Sequence, residues 1–167
     1  MSFKLLANLG EVTVPDHYVH GTRLDTFRKK HGKRFCYYNG AITDKSFPNP
    51  SRVLEPGDKF RVRAFKQAVP GTTTSGERMA FLDAQRAVYT GAQGASLVFR
   101  QKCNQLPKGF LYASFDEQKR LWKDTDGSHG VPYVVALLGG GFDFDLYPFE
   151  YDRNEAYCLL CFSDLTR

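Results

Sequence analysis

The run Gly139-Gly140-Gly141-Phe142-Asp143-Phe144-Asp145-Leu146-Tyr147-Pro148-Phe149-Glu150-Tyr151-Asp152-Arg153-Asn154-Glu155-Ala156-Tyr157-Cys158-Leu159-Leu160-Cys161-Phe162 decides how this chain is read. Residues 142–146 alternate apolar side chain with carboxylate, the period-two signature of a strand with one dry face. The triple glycine before them and Pro148 after them are turn formers, so the strand is bounded on both sides. Residues 156–162 are a short apolar run of strand length, as expected for a strand buried on both faces. Two strands joined by a polar and aromatic loop therefore close the sequence.

Outward from that pair, residues 110–115, 120–123 and 132–138 read as further short strands with no helix between them, which makes antiparallel pairing dominant. Upstream the period becomes helical. Ser75 is expected to cap a helix in which Met79, Leu82, Ala87 and Val88 gather near one face, with Gly91 ending it. A second helix is expected over residues 94–105, stopped by Leu106-Pro107-Lys108-Gly109, although Ala95 to Phe99 alone also reads as a short strand. The turn Pro56-Gly57-Asp58 launches residues 59–67, where Phe60, Val62 and Ala64 alternate with Arg61 and Arg63. Nearer the start, residues 3–9 and 11–14 predict an early hairpin around Asn8 to Gly10. A short helix capped by Asp16 or Thr22 then passes through Leu24, Phe27 and Arg28 to Gly32, and Phe35 to Tyr38 begins a strand. Asn39-Gly40 and Phe47-Pro48-Asn49-Pro50 mark a long connection.

These elements predict an α+β fold in one domain over residues 1–167, with two central helices and mainly antiparallel short strands. Residues 1–55 would supply the N-terminal strands and connection, and residues 56–167 the core. The first and last strands are expected to meet and close the sheet.

Composition agrees with a folded chain: 42% hydrophobic and 25% charged residues are near the globular norm. No segment reaches the roughly 18 apolar residues of a membrane span, and the apolar run near Met1 is too short for a secretory signal. Cytoplasmic residence is the expectation, with surface display compatible. The charge is uneven. Residues 1–66 hold 13 Lys and Arg against 6 acids, a net +7, while residues 67–167 carry a net −2. The densest basic stretch, Arg28-Lys29-Lys30-His31-Gly32-Lys33-Arg34, precedes three rings, so with Arg61 and Arg63 it forms a runner-up expectation of nucleic-acid binding. No nucleic-acid motif accompanies it, and a solvated helix end and loop is the preferred reading.

Catalytic patterns are sparse. Asp16-His17-x-x-His20 offers two imidazoles and a carboxylate, a third expectation of a small metal-dependent hydrolase, but Pro15 places them in a loop, where exposed or capping histidines are the preferred reading. Cys158-x-x-Cys161 has half the spacing of a zinc site without a second pair, and on a strand its thiols point to opposite faces. Free buried cysteines are expected, with a Cys103–Cys158 disulfide as the alternative. Gly71 to Gly76 reads as a Thr/Ser loop before an anion cradle, and Asp143 with Asp145 as a solvated strand face before a cation site. There is no nucleophile elbow and no phosphate loop. No catalytic residue, metal or cofactor is assigned.

Seven rings fall between Tyr133 and Tyr157. Alternation sends Phe142, Phe144 and Leu146 inward and Asp143, Asp145 and Tyr147 outward. Phe149 would anchor the loop, leaving Tyr151, Asp152 and Asn154 to project. Anchored rings beside short polar groups suit adaptable recognition at low entropic cost. The outward row read from the residues is thus Tyr147, Tyr151, Asp152 and Asn154, with an ordinary antiparallel hairpin whose outer face is polar as the alternative.

The segment from Pro56-Gly57-Asp58 through two helices, Leu106-Pro107-Lys108-Gly109, Tyr112-Ala113-Ser114-Phe115, Val131-Pro132 and Leu159-Leu160-Cys161-Phe162 to Asp164 resembles the C-type-lectin-fold variable proteins of diversity-generating retroelements and proteins of uncultured bacterial lineages. The resemblance implies a lectin-like scaffold and a non-enzymatic binding protein, whose exposed residues between Tyr133 and Tyr157 are rewritten among copies while Leu159 to Phe162 remain framework. With the matching region taken as Tyr133 to Tyr157, the expected ligand-binding surface is Tyr133, Val135, Leu137, Tyr147, Tyr151, Asp152, Asn154 and Tyr157, and the expected ligand is a protein. The Glu-Pro-Asn, Gln-Pro-Asp and Trp-Asn-Asp motifs with which sugar-binding lectins hold calcium are missing, as is the Gly-Phe-Arg ending common in the family.

Overall fold

A computed structural model describes residues 2–165 of the chain. One mixed sheet of eight strands organises it, in the order β1 (Phe3–Thr13), β3 (Lys59–Gln67), β8 (Tyr157–Asp164), β4 (Leu111–Ala113), β6 (His129–Ala136), β7 (Phe142–Pro148) and β2 (Phe35–Tyr38), with β5 (Trp122–Lys123) paired to β6 outside this path. Among the described residues three α-helices accompany it: α1 (Arg23–His31), α2 (Ser75–Ala84) and α3 (Gly91–Lys102). The class is α+β. Most strand pairs are antiparallel, whereas β2 runs parallel to β7 and β4 parallel to β8.

The N-terminal residues form both edges of the sheet, β1 at one and β2 at the other. The expected early hairpin is absent. Residues 3–13 are one strand paired along β3, and the extra residues near Asn8 and Gly10 are absorbed as bulges at Leu5/Ala7 and Asn8/Gly10. The first and last strands do not meet either, because β3 lies between β1 and β8 and pairs with both.

Two sequence readings shift around α2. Its N-cap is Thr74, whose hydroxyl accepts the Glu77 amide at 3.0 Å, one residue before the expected Ser75. The helix ends at Ala84, and Arg86 follows in the left-handed region at φ 56°, so Ala87 and Val88 leave it and Val88 bridges to Phe162 of β8 instead. Gly91 then opens α3 at φ 57° rather than closing α2, a conformation that favours glycine. Residues 95–99 are helical, which removes the strand alternative. Residues 120–123 divide into the end of a 3-10 turn and the two-residue β5.

α1 begins after Thr22, but its amides are capped from outside. The Asp44 carboxylate accepts from Leu24 N and Asp25 N, each at 2.9 Å, which favourably places negative charge at a helix N-terminus. Phe27 of α1 and Phe99 of α3 meet Phe35, Phe142 and Phe144 from the strands, with Phe35 and Phe99 centroids 4.4 Å apart and Phe27 and Phe144 6.1 Å apart. Such ring pairs each contribute about 0.5–1.5 kcal/mol beyond area burial. This cluster covers one face of β6 and β7 and leaves the opposite face for the candidate site. Among the described residues, no helix is long and apolar enough to cross a membrane.

Candidate functional site

Strand alternation puts Val131, Tyr133 and Val135 of β6 on the same face as Asp143, Asp145 and Tyr147 of β7, with Tyr133 opposite Asp145 and Val135 opposite Asp143. Tyr157 opens β8 beside Leu111, two strands away. The connection from Pro148 to Tyr157 folds back over this face, and its guanidinium, that of Arg153, settles among the rings. It lies 4.9 Å from the Tyr147 centroid, 5.2 Å from that of Tyr157 and 5.9 Å from that of Tyr151. These are cation–π distances. The rings also touch one another: Tyr147 to Tyr157 at 5.2 Å, Tyr133 to Tyr147 at 5.8 Å and Tyr133 to Tyr157 at 6.0 Å.

Beneath the loop sits Arg78 of α2, 1% exposed and without a carboxylate among its hydrogen-bond partners. Its guanidinium donates to Thr73 Oγ1, to Gln67 Oε1 and to the carbonyl oxygens of Arg153, Asn154 and Tyr157. Burial lowers the Arg78 pKa from its ordinary value, while nearby Tyr147 and Cys158 oppose that shift. Ser75 Oγ donates to Phe149 O at 2.6 Å, Phe149 N donates to His129 O at 2.7 Å, and Thr73 and Arg153 exchange backbone hydrogen bonds at 2.9 and 3.0 Å. The loop is thus tied to α2, to the segment before it and to β6. Its tip is pre-organised rather than left to order on binding.

The expected surface residues divide accordingly. Tyr151, Asp152 and Asn154 are exposed, Tyr151 at 59%. Tyr133, Val135 and Tyr157 are half-buried on the same open face, while Leu137 lies half-buried beyond the end of β6 in the glycine turn. Tyr147 corrects the expectation. Alternation assigns its face properly, but Arg153 and Phe115 cover it and only 3% remains exposed. Its phenol is pushed up by burial, against the Arg78 and Arg153 charges. Alternation sets the side of a sheet; whether a loop lies over that side is a tertiary matter.

Asp143 and Asp145 are already committed to protein donors. Tyr37 N donates to Asp143 Oδ1 at 3.1 Å, while Asn39 Nδ2 and Tyr133 Oη donate to Asp145 at 2.9 and 3.2 Å. Burial and the Asp145 charge raise the Tyr133 pKa.

The other candidates disperse. His17 faces the Arg23 guanidinium at 3.4 Å, whereas His20 Nε2 lies 2.8 Å from Pro48 O, and the described residues contain no His/Cys/Asp/Glu group that could hold a metal ion. Arg28 lies over the Tyr38 ring and Arg34 over that of Phe99, while Lys29, Lys30 and Lys33 are exposed. Arg61 and Arg63 stand on β3, separated from β2 by four strands, so the two basic groups do not converge. All four cysteines are free, and Cys103, Cys158 and Cys161 are buried. In the segment 71–76, Thr73 is spent on Arg153, Gln67 and Arg78.

Sequence reasoning missed Arg78 and Arg153. Both left a signal: Ser75, Arg78 and Leu82 share the i, i+3, i+7 spacing of a buried helical stripe, and Arg153 stands two residues after Tyr151 and four before Tyr157. Compared with protein-family models, with curated proteins and with solved structures, the chain matches none.

Proposed function

We propose that this chain is a non-enzymatic binding protein whose recognition surface is the Pro148–Tyr157 loop together with the open face of β6, and that its ligand is a protein. The observation that carries this reading is the stack of Tyr147, Tyr151 and Tyr157 around the Arg153 guanidinium at 4.9 to 5.9 Å. Tyrosine and arginine are the side chains that dominate binding hot spots, and here they rest on a buried, hydrogen-bonded base. Tyr151 supplies exposed ring area. Asp152 and Asn154 add directional hydrogen bonds at the rim, and Tyr133 and Val135 extend the apolar floor. Tyr147 acts as support rather than contact.

The lectin-like scaffold belongs to the same proposal. Within residues 56–164 the first and last strands, β3 and β8, are antiparallel neighbours, and both helices lie between them in sequence. On this reading, exposed positions such as Tyr151, Asp152 and Asn154 are the ones that vary among copies. A reverse transcriptase gene and a near-copy of codons 130–160 beside this gene would support diversification, and their absence would remove it.

Binding itself is tested by selecting displayed random peptides on the wild-type protein. Enriched peptides should lose at least ~10-fold in affinity on the Tyr151→Ala/Arg153→Ala double variant, the loss of about 1.4 kcal/mol. Equal binding to both proteins, or no enrichment from the library, would overturn the reading.

A further inference from the structure

On another part of the surface, segment 45–49 and segment 119–123 flank an open cleft of about 710 Å³. That volume lies within the range of small-molecule sites, about 300–1,000 Å³. Four cations line it: Lys45, Lys119, Arg120 and Lys123. Among the described residues no acid stands in the lining itself; Glu117 pairs with two of the cations from beside it, 3.5 Å from Lys119 Nζ and 3.7 Å from Arg120 Nε, so the lining keeps a positive excess. Trp122, the sole tryptophan of the chain, is half-buried against the core and also lines the cleft. Buried Leu121 contributes an apolar side chain.

The walls are held in place. Arg120 Nη1 donates to Asn49 O at 3.1 Å across the cleft, Gln93 Nε2 donates to Phe47 O at 2.8 Å, and His20 meets Pro48 O at 2.8 Å. Neither wall needs to order when a ligand arrives, which lowers the cost of binding.

The geometry points to a binding site for a nucleoside polyphosphate, its base against Trp122 and its phosphates toward Lys45, Lys119 and Lys123. An indole serves as a stacking platform for any base, and a cluster of cations beside it meets the charge of the phosphates. Two short walls bridged by Arg120 give room for a single nucleotide, and the hexanucleotide arm below tests for a longer strand. This site shares no residue with the Tyr–Arg surface, so either assignment stands or falls alone.

Because the chain has one tryptophan, its emission reports the cleft directly. The full chain is titrated with magnesium-free ATP at low salt, with adenosine, inorganic triphosphate and a single-stranded hexanucleotide as separate arms. Saturable quenching by ATP at or below ~1 mM is expected, with adenosine and triphosphate each at least ~10-fold weaker, since each lacks half the contacts. The exposed-residue variant Lys119→Gln/Lys123→Gln should weaken ATP at least ~10-fold, and Trp122→Phe, followed by calorimetry, should retain weaker binding because the smaller ring still stacks. Several outcomes would overturn the proposal: no ATP binding, triphosphate equal to ATP, ATP binding indifferent to the lysine substitutions, or binding of the hexanucleotide alone.

Discussion

The buried guanidinium of Arg78 donates a 2.6 Å hydrogen bond to the carbonyl oxygen of Tyr157, 79 residues away in the chain. This bond joins α2 to the first residue of the central strand β8 and, with those to Arg153 and Asn154, carries the loop that presents the Tyr–Arg surface. A charge in this position is tolerated because carbonyl, amide and hydroxyl oxygens replace its water shell.

Arg78→Lys keeps the charge but loses the planar fork, and Arg78→Ala removes the guanidinium's hydrogen bonds to Thr73, Gln67 and three loop carbonyls at once, leaving Arg153 O and Asn154 O only their backbone donors, Thr73 N and Tyr157 N. Each variant should lower the unfolding free energy by about 2–5 kcal/mol, read from urea denaturation. A loss below ~1 kcal/mol would mean that other donors replace it.

Gly94 sits inside α3, where alanine is intrinsically the better helix former by about 1 kcal/mol. A Cβ there would lie 1.8 Å from Thr90 Oγ1, 2.5 Å from Thr90 Cβ and 3.0 Å from the Phe162 ring. Gly94→Ala should therefore destabilise the protein by about 1–3 kcal/mol, the cost of overpacking a tight core. A thermal melt unchanged or raised in temperature would show that Thr90 rotates away freely.

Thiol reactivity should divide the four cysteines. Cys36 is exposed; Cys103, Cys158 and Cys161 are buried, and burial pushes the Cys158 thiol up to about 12. An aromatic disulfide reagent should label one thiol per native chain quickly and all four after denaturation. Fast labelling of Cys158 or Cys161 in the native state, located by peptide mapping, would contradict the burial of β8, and fast labelling of Cys103 would contradict its burial after α3.

Glu150 gives an acid dependence. Burial disfavours its charge, but the His129 amide, the Gln118 side-chain amide and the His129 ring outweigh that cost and hold the carboxyl down to about 2. With the folded value below the ordinary 4.5, the stabilisation is present above that ordinary value and is lost as pH falls toward about 2. A carboxyl carbon titration by NMR should place the Glu150 midpoint well below those of unpaired glutamates, and Glu150→Gln should flatten the acid limb of the stability profile.

Local periodicity made much of the fold legible. The residues of β3, β7 and β8, the helix through Leu24 and Phe27, and the stop at Leu106-Pro107 follow from alternation, spacing and turn chemistry, which act over a few residues. The failures cluster where a distant segment intervenes. Residues 3–13 read as a hairpin because Asn8 and Gly10 are turn formers, yet pairing with β3 keeps the strand continuous through bulges. Val88 has the apolar character of a helix face, but its amide is taken by Phe162 O at 2.9 Å.

By itself the sequence determined the α+β class, the aromatic and polar character of the 133–157 region and the face on which the residues of β7 stand, because these depend on near neighbours along the backbone. Only the tertiary structure decided that Tyr147 is covered, that Arg153 gathers the tyrosines and that Arg78 supports the loop from below. Cation–π contacts and hydrogen bonds of this kind join residues from separate elements, and they exist only once the sheet has set those elements side by side.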